Sequence, residues 1–128
     1  MSGRQAVFAD KAPKPNGNYS HVVRSGDKLF VCGFMGDDPV TGKIVEGGVE
    51  AQTRQAIENI KACVEAAGSS LDKVLSRRLY MTERAEFRTV DAIWASYMKE
   101  PYPVSTLIGV TWLAKEGAVI EIEVVAEA

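Results

Sequence analysis

The residues with chemistry to offer are few and scattered. The chain of 128 residues holds one histidine, His21, and two cysteines, Cys32 and Cys63. A zinc site takes about four Cys, His or carboxylate ligands at close spacing, and no stretch supplies them. A Ser-His-Asp enzyme would rest everything on His21. The P-loop, GxGxxG, GxSxG and HExxH patterns are absent. Gly47-Gly48 lets backbone amides meet an anion at a helix start, but a flexible entry loop needs the same residues. A loose set remains. Tyr19, Ser20 and His21 stand at the mouth of an expected hairpin, and Cys32-Gly33 near the far end of its second strand. Ser105 and Thr106 follow Pro103, and Glu121 is a carboxylate on a largely apolar strand. Each also has a plain role: tyrosine packs, serine turns, and glutamate faces water. The set points to chemistry done without a metal and with few groups that titrate near neutrality.

Composition narrows the partners. Fifteen Lys+Arg against seventeen Asp+Glu give a charge of −2 and no basic stripe, so no nucleic-acid partner is expected. No run of about 18 apolar residues is present, so no membrane span is expected. No export signal is read, which predicts a cytoplasmic protein with both thiols reduced. The length fits one domain over residues 1–128.

The elements that must position these residues follow from local pattern. Residues 12–18 are loop-like, with two prolines and Asn16-Gly17. Tyr19–Arg24 and Lys28–Gly33 around Ser25-Gly26-Asp27 predict a hairpin. Thr53, Ile57, Ile60, Val64 and Ala67 line one face of a helix over 49–67, with Gln52, Gln55, Glu58, Lys61 and Glu65 mostly opposite and Gly68 at its end. Residues 71–82 predict a strand whose two arginines, Arg77 and Arg78, point to opposite faces. Phe87, Val90, Ile93, Trp94 and Tyr97 predict a second helix, ended by Pro101 and Pro103. Residues 104–113 and 118–125 predict a closing hairpin around Lys115-Glu116-Gly117. With a short first strand at 5–8 the order is β-β-β-α-β-α-β-β, an α+β two-layer domain with both helices on one face of one mixed sheet. The penultimate strand is apolar on both sides, which predicts that the face away from the helices is buried in an oligomer.

Several motifs in order resemble one family. The stretch Ala12-Pro13 through Asn18-Tyr19-Ser20-His21 is similar to the "GPYS" opening of the YjgF/Rid proteins, small imine and enamine deaminases. Leu29–Gly33 resembles their hydrophobic-Ser-Gly strand, and Pro39–Val45 their P-x-T-G turn. Gln52–Ile60 closely resembles "QTRQALENI", Glu65–Gly68 "EAAG", Phe87–Asp91 "F-x-x-V-N", and Val119–Ala126 "hxIEIEAIA". The resemblance spans nearly the whole chain. It implies a chorismate-mutase-like fold and a homotrimer with a small-molecule site in each cleft between subunits. It also implies cofactor-free, metal-free hydrolysis of an enamine or imine to a keto product and ammonia.

The same resemblance names the candidates and the departures. Glu121 resembles the family's water-holding carboxylate, and Tyr19 and Gly33 match its site. Deaminases of the family carry P-A-R-S/T after the second helix, where the arginine grips the substrate carboxylate; this chain has Pro103-Val104-Ser105-Thr106. Cys32 replaces a serine, Asp91 an asparagine and Leu107 a cysteine. Arg24, Arg77, Arg78 and Lys115 are the cations able to stand in for the missing grip. The run Tyr19-Ser20-His21-Val22-Val23-Arg24 resembles the Y/F-x-H-x-x-R opening of the 2-aminomuconate deaminase branch, which implies catalytic roles for His21 and Glu121 and a binding role for Arg24. Three functions follow. One is a deaminase with catalytic Glu121, Tyr19 and His21 and a pocket of Ser105, Thr106, Gly33, Cys32, Arg24 and Asp91. The second is a non-catalytic metabolite-binding or chaperone-like trimer. The third is a ribonuclease or translation inhibitor, which the net charge disfavours.

Overall fold

The computed structural model describes residues 3–128. The strands are β1 (Gln5–Val7), β2 (Val22–Ser25), β3 (Lys28–Met35), β4 (Val74–Met81), β5 (Val104–Gly109) and β6 (Ile120–Glu127). The helices are α1 (Gly48–Ala66) and α2 (Phe87–Tyr97). They follow the expected order and form one sheet, β1-β2-β3-β6-β4-β5, in which only the β4–β5 pair is parallel.

Local chemistry explains the boundaries. The β2–β3 turn is two residues long, with Ser25 opposite Lys28. Gly26 has φ 61 and Asp27 no positive φ, the pattern of a type II′ turn whose twist suits a hairpin. At the end of α1, Gly68 has φ 82, the Gly68 amide donates to the Glu65 carbonyl at 2.9 Å, and the Ser69 amide to the Val64 carbonyl at 2.8 Å. This paired arrangement satisfies the last carbonyls and requires a residue free of a Cβ. Ile57, Ile60 and Val64 of α1 are fully buried against Leu29, Ile120, Ile122 and Val124 of the sheet. Each such side chain contributes about 1.5–3 kcal/mol.

Three expectations change. The closing pair is not a hairpin: β5 lies at the edge beside β4, and β6 inserts between β3 and β4. The connecting segment steps over the end of β4, where the Val110 amide donates to the Met81 carbonyl and the Thr82 amide to the Val119 carbonyl. Burial gives the reason. Ile120, Ile122, Val124 and Ala126 are all buried, as a central strand requires, whereas every residue of β5 is exposed or partly so. The strand expected over 71–82 begins only at Val74, because Leu71–Lys73 makes a 3-10 turn. Gln52, expected on the polar side of α1, is buried. Its Nε2 donates to the Gly117 carbonyl at 3.0 Å and its Oε1 accepts the Val119 amide at 2.9 Å, which pins the crossover segment to the helix.

Candidate active site

The candidates separate into groups on the two faces of the sheet and in the N-terminal loop. The face away from the helices holds Glu121, Gly33 and Cys32. Between Val31 and Phe34 strand β3 carries one residue more than β6, so Cys32 and Gly33 together stand opposite Glu123. Such a bulge re-aims side chains at a local kink. Here it brings bare backbone under a carboxylate: a Cβ on Gly33 would overlap Oε2 of Glu121, with Cδ 3.1 Å away. Only glycine lets this carboxyl lie down on the strand.

Electrostatics on this face work against charge. Burial raises the Glu121 carboxyl above the usual carboxylate range, and the nearby Glu123 and Asp37 raise it further. Burial also pushes the Cys32 thiol up to about 12, with Glu121 and Asp37 adding to the shift. Cys32 is therefore a neutral thiol near pH 7, able to pack and weakly hydrogen-bond but poor as a nucleophile. Beside them Tyr80 Oη donates to Glu123 Oε1, and that bond is the main cause of its raised phenol.

The helix-side face holds Ser105 and Asp91, and Arg77 joins them. Arg77 is the β4 residue paired with Ser105. Its Nε donates to Ser105 Oγ at 2.8 Å, and its Nη2 to Asp91 Oδ1 of α2 at 2.7 Å. The guanidinium carbon lies over the Trp94 ring, 5.1 Å from the centroid. Of the four cations considered, Arg77 is the one at Ser105. Lys115 is committed to Asp37 and the Gly42 carbonyl, and Arg24 to the carbonyl of Gly26 at its own hairpin turn. Arg78 points to the opposite face, as the alternation predicted.

The histidine takes a different part from the one expected. His21 is 2% exposed, between Phe8 and Phe34. Its Nδ1 accepts the Ala9 amide at 3.0 Å, and its Nε2 lies 2.7 Å from the Pro13 carbonyl, which fixes the Nε2-protonated tautomer. Both nitrogens are used on backbone, so neither is free to move a proton for a substrate. The sequence showed a histidine near a turn; only the path of residues 8–13 over it reveals the anchor. Tyr19 is half exposed, and its hydroxyl donates to Asn16 Oδ1 at 2.7 Å. Thr106 pairs with Arg78 on the exposed edge.

Glu121 is paired with Tyr80, an odd number of residues from Arg77 along β4, so Glu121 and Ser105 lie on opposite faces. Ser105 and Glu121 therefore share no cleft within one chain. Among the described residues no cluster of three or more His, Cys, Asp or Glu is disposed to hold a metal, and no helix is long and apolar enough to cross a membrane.

A six-stranded mixed sheet with both helices on one face, and a strand bulge seating a carboxylate, define a class of small α+β proteins. The family model described as Endoribonuclease L-PSP matches residues 9–128, and the chain belongs to that family, the YjgF/Rid proteins. A RutC family protein from Pyrococcus horikoshii is 40% identical over 96% of this chain and 97% of its own. The human 2-iminobutanoate/2-iminopropanoate deaminase is 33% identical over 96% of this chain and 89% of its own. The crystal structure of RidA from an Antarctic Psychrobacter superposes with a TM-score of 0.92 at 36% identity, covering 97% of this chain and 99% of that one.

Proposed function

We propose that the protein is a hydrolytic deaminase of small imines or enamines, needing neither metal nor cofactor, and that its sites lie between subunits of a homotrimer. The observation that carries this reading is the Glu121 carboxyl, half-buried on the glycine of a strand bulge and held toward neutrality by burial. The human relative's name gives the substrate class. In the reaction water adds to the C=N carbon, and ionised Glu121 takes a proton from that water. The proton passes to nitrogen and gives a tetrahedral intermediate bearing a hydroxyl and an amine; the hydroxyl proton then follows to nitrogen by way of Glu121 as the C–N bond breaks and the carbonyl forms, and ammonia leaves with a keto acid. A carboxyl whose proton affinity is raised toward the working pH exchanges protons more evenly with water and amine. Cys32, Gly33 and Thr106 line the substrate, and Tyr19 approaches from the N-terminal loop.

Support for a shared site comes from geometry and from apolar surface. One chain places Glu121 and Ser105 on opposite faces, so one cleft needs both faces and hence two copies. Phe30, Val104 and Trp112 are exposed, Trp112 by 76%. Apolar surface of that kind suits an interface. The competing reading, a non-catalytic binding trimer, draws on Ser105 standing where an arginine is expected. Ammonia release separates the two. Imine made in the assay from threonine by a dehydratase should decay faster with this protein, and Glu121→Ala should abolish the acceleration. No acceleration across imines and dicarboxylic enamines would favour the binding protein. Sizing near three times 13.9 kDa tests the trimer.

A further inference from the structure

The helix-side face leaves one polar atom unanswered. Arg77 is 7% exposed, and its Nη1 is, among the described residues, the buried side-chain nitrogen or oxygen without a hydrogen-bond partner. The rest of the group is fixed by Ser105, Asp91 and the Trp94 ring. A guanidinium has five N–H donors, and these contacts use two. The two on Nη1 and the second on Nη2 remain without a partner, with Nη1 itself covered by its neighbours. These two adjacent nitrogens match the two oxygens of a carboxylate once the side chains covering Nη1 move aside. A buried charged donor left unpaired is costly, and an entering acceptor removes the cost. Arg77, Asp91, Trp94, Ala95, Tyr102 and Pro103 line a cavity of about 280 Å³ at this point, room for a small acid.

We propose that this cavity is a carboxylate-binding subsite in which Arg77 is the binding residue and Asp91 a positioning residue. The proposal deepens the deaminase reading, on which it rests for identifying the acid as substrate or product. Asp91 holds the fork in place through Nη2, and its own charge sets the selectivity. A carboxylate sharing the arginine repels a dianion more than a monoanion, so the subsite takes organic acids in preference to phosphate. Ser105 accepts from Nε and keeps its own O–H to donate. On this reading the cation sits one strand inward from where the family pattern places it.

The test is direct binding, followed on the indole N–H signals of the two tryptophans and assigned with Trp112→Phe. Titration with 2-oxobutanoate should shift the Trp94 signal saturably. The uncharged 2-oxobutanamide should bind at least tenfold more weakly, and inorganic phosphate more weakly than the acid. Arg77→Gln should weaken acid binding at least tenfold, and Asp91→Asn should strengthen it severalfold while narrowing the preference over phosphate. Equal binding of acid and amide, phosphate binding above the acid, or unchanged affinity in Arg77→Gln would overturn the subsite. Should Arg77→Gln not fold, the acid–amide comparison and Asp91→Asn decide on folded protein. Ammonia release with unaltered KM in Arg77→Gln would sink the subsite and leave the deaminase reading standing. Acid binding without ammonia release would do the reverse.

Discussion

The two faces of the sheet handle charge in opposite ways. On one, Glu121 lies on bare backbone among like charges, and its ionised form is disfavoured. On the other, Arg77 is gripped by a serine, a carboxylate and an indole ring, with Nη1 left unpaired. A group kept short of partners is poised to exchange a proton, whereas one locked in place is poised to receive a ligand. Under the proposed deaminase reading, the contrast divides the labour: proton transfer on one face, substrate grip on the other.

The largest effect should come from the proton-exchanging face. Glu121→Ala should lower ammonia release by about 10²–10⁴-fold, the usual span for a general acid–base group, without loss of thermal stability. Gly33→Ala should approach that loss by displacing the carboxyl, and full activity in this variant would break the seat argument. On the gripping face, Arg77→Gln should raise KM for carboxylate substrates at least tenfold with a smaller change in kcat. It should also cost about 1–3 kcal/mol of stability, because Asp91 and Ser105 lose their partner. A loss confined to kcat would contradict the division.

His21→Ala sharpens the comparison from outside both faces. It removes two buried hydrogen bonds and leaves a cavity, so denaturant unfolding should show a loss of about 2–4 kcal/mol. The kcat of the folded fraction should be retained; a large fall in kcat at full stability would return His21 to the chemistry. The smallest effect is a pH trend. Because the folded Glu121 carboxyl binds its proton more tightly than in the unfolded chain, its contribution to stability is greatest below the ordinary carboxylate range. That contribution is lost as pH rises through the folded value. The Tm advantage of Glu121→Gln over wild type should therefore grow from pH 4 to pH 8, and a flat difference would argue that the carboxyl is well solvated.

Much of this was legible in residue order. The 3.6-residue spacing of Ile57, Ile60 and Val64 and the terminating Gly68 fixed α1, and alternation in residues 120–126 marked the strand that proved central. The expected closing hairpin failed because sequence adjacency favours pairing neighbours, while burial demanded that β6 sit between β3 and β4. Glu121 and Gly33 were legible as candidates, but the bulge that joins them depends on the register of two distant strands. Arg77 could be placed on a face by alternation, yet its choice over Arg24, Arg78 and Lys115 required the parallel pairing of β4 with β5. The role of His21 depended on a loop with no periodic pattern to read.

Glu121 of one copy and Arg77 of another should serve the same substrate. Glu121→Ala and Arg77→Gln, each purified and nearly inactive at low substrate, should be unfolded together, refolded as mixed oligomers and assayed for ammonia release. Activity that neither variant has alone is expected in the mixture, because some clefts then combine an intact Glu121 with an intact Arg77. Mixed oligomers that form and remain inactive would contradict it.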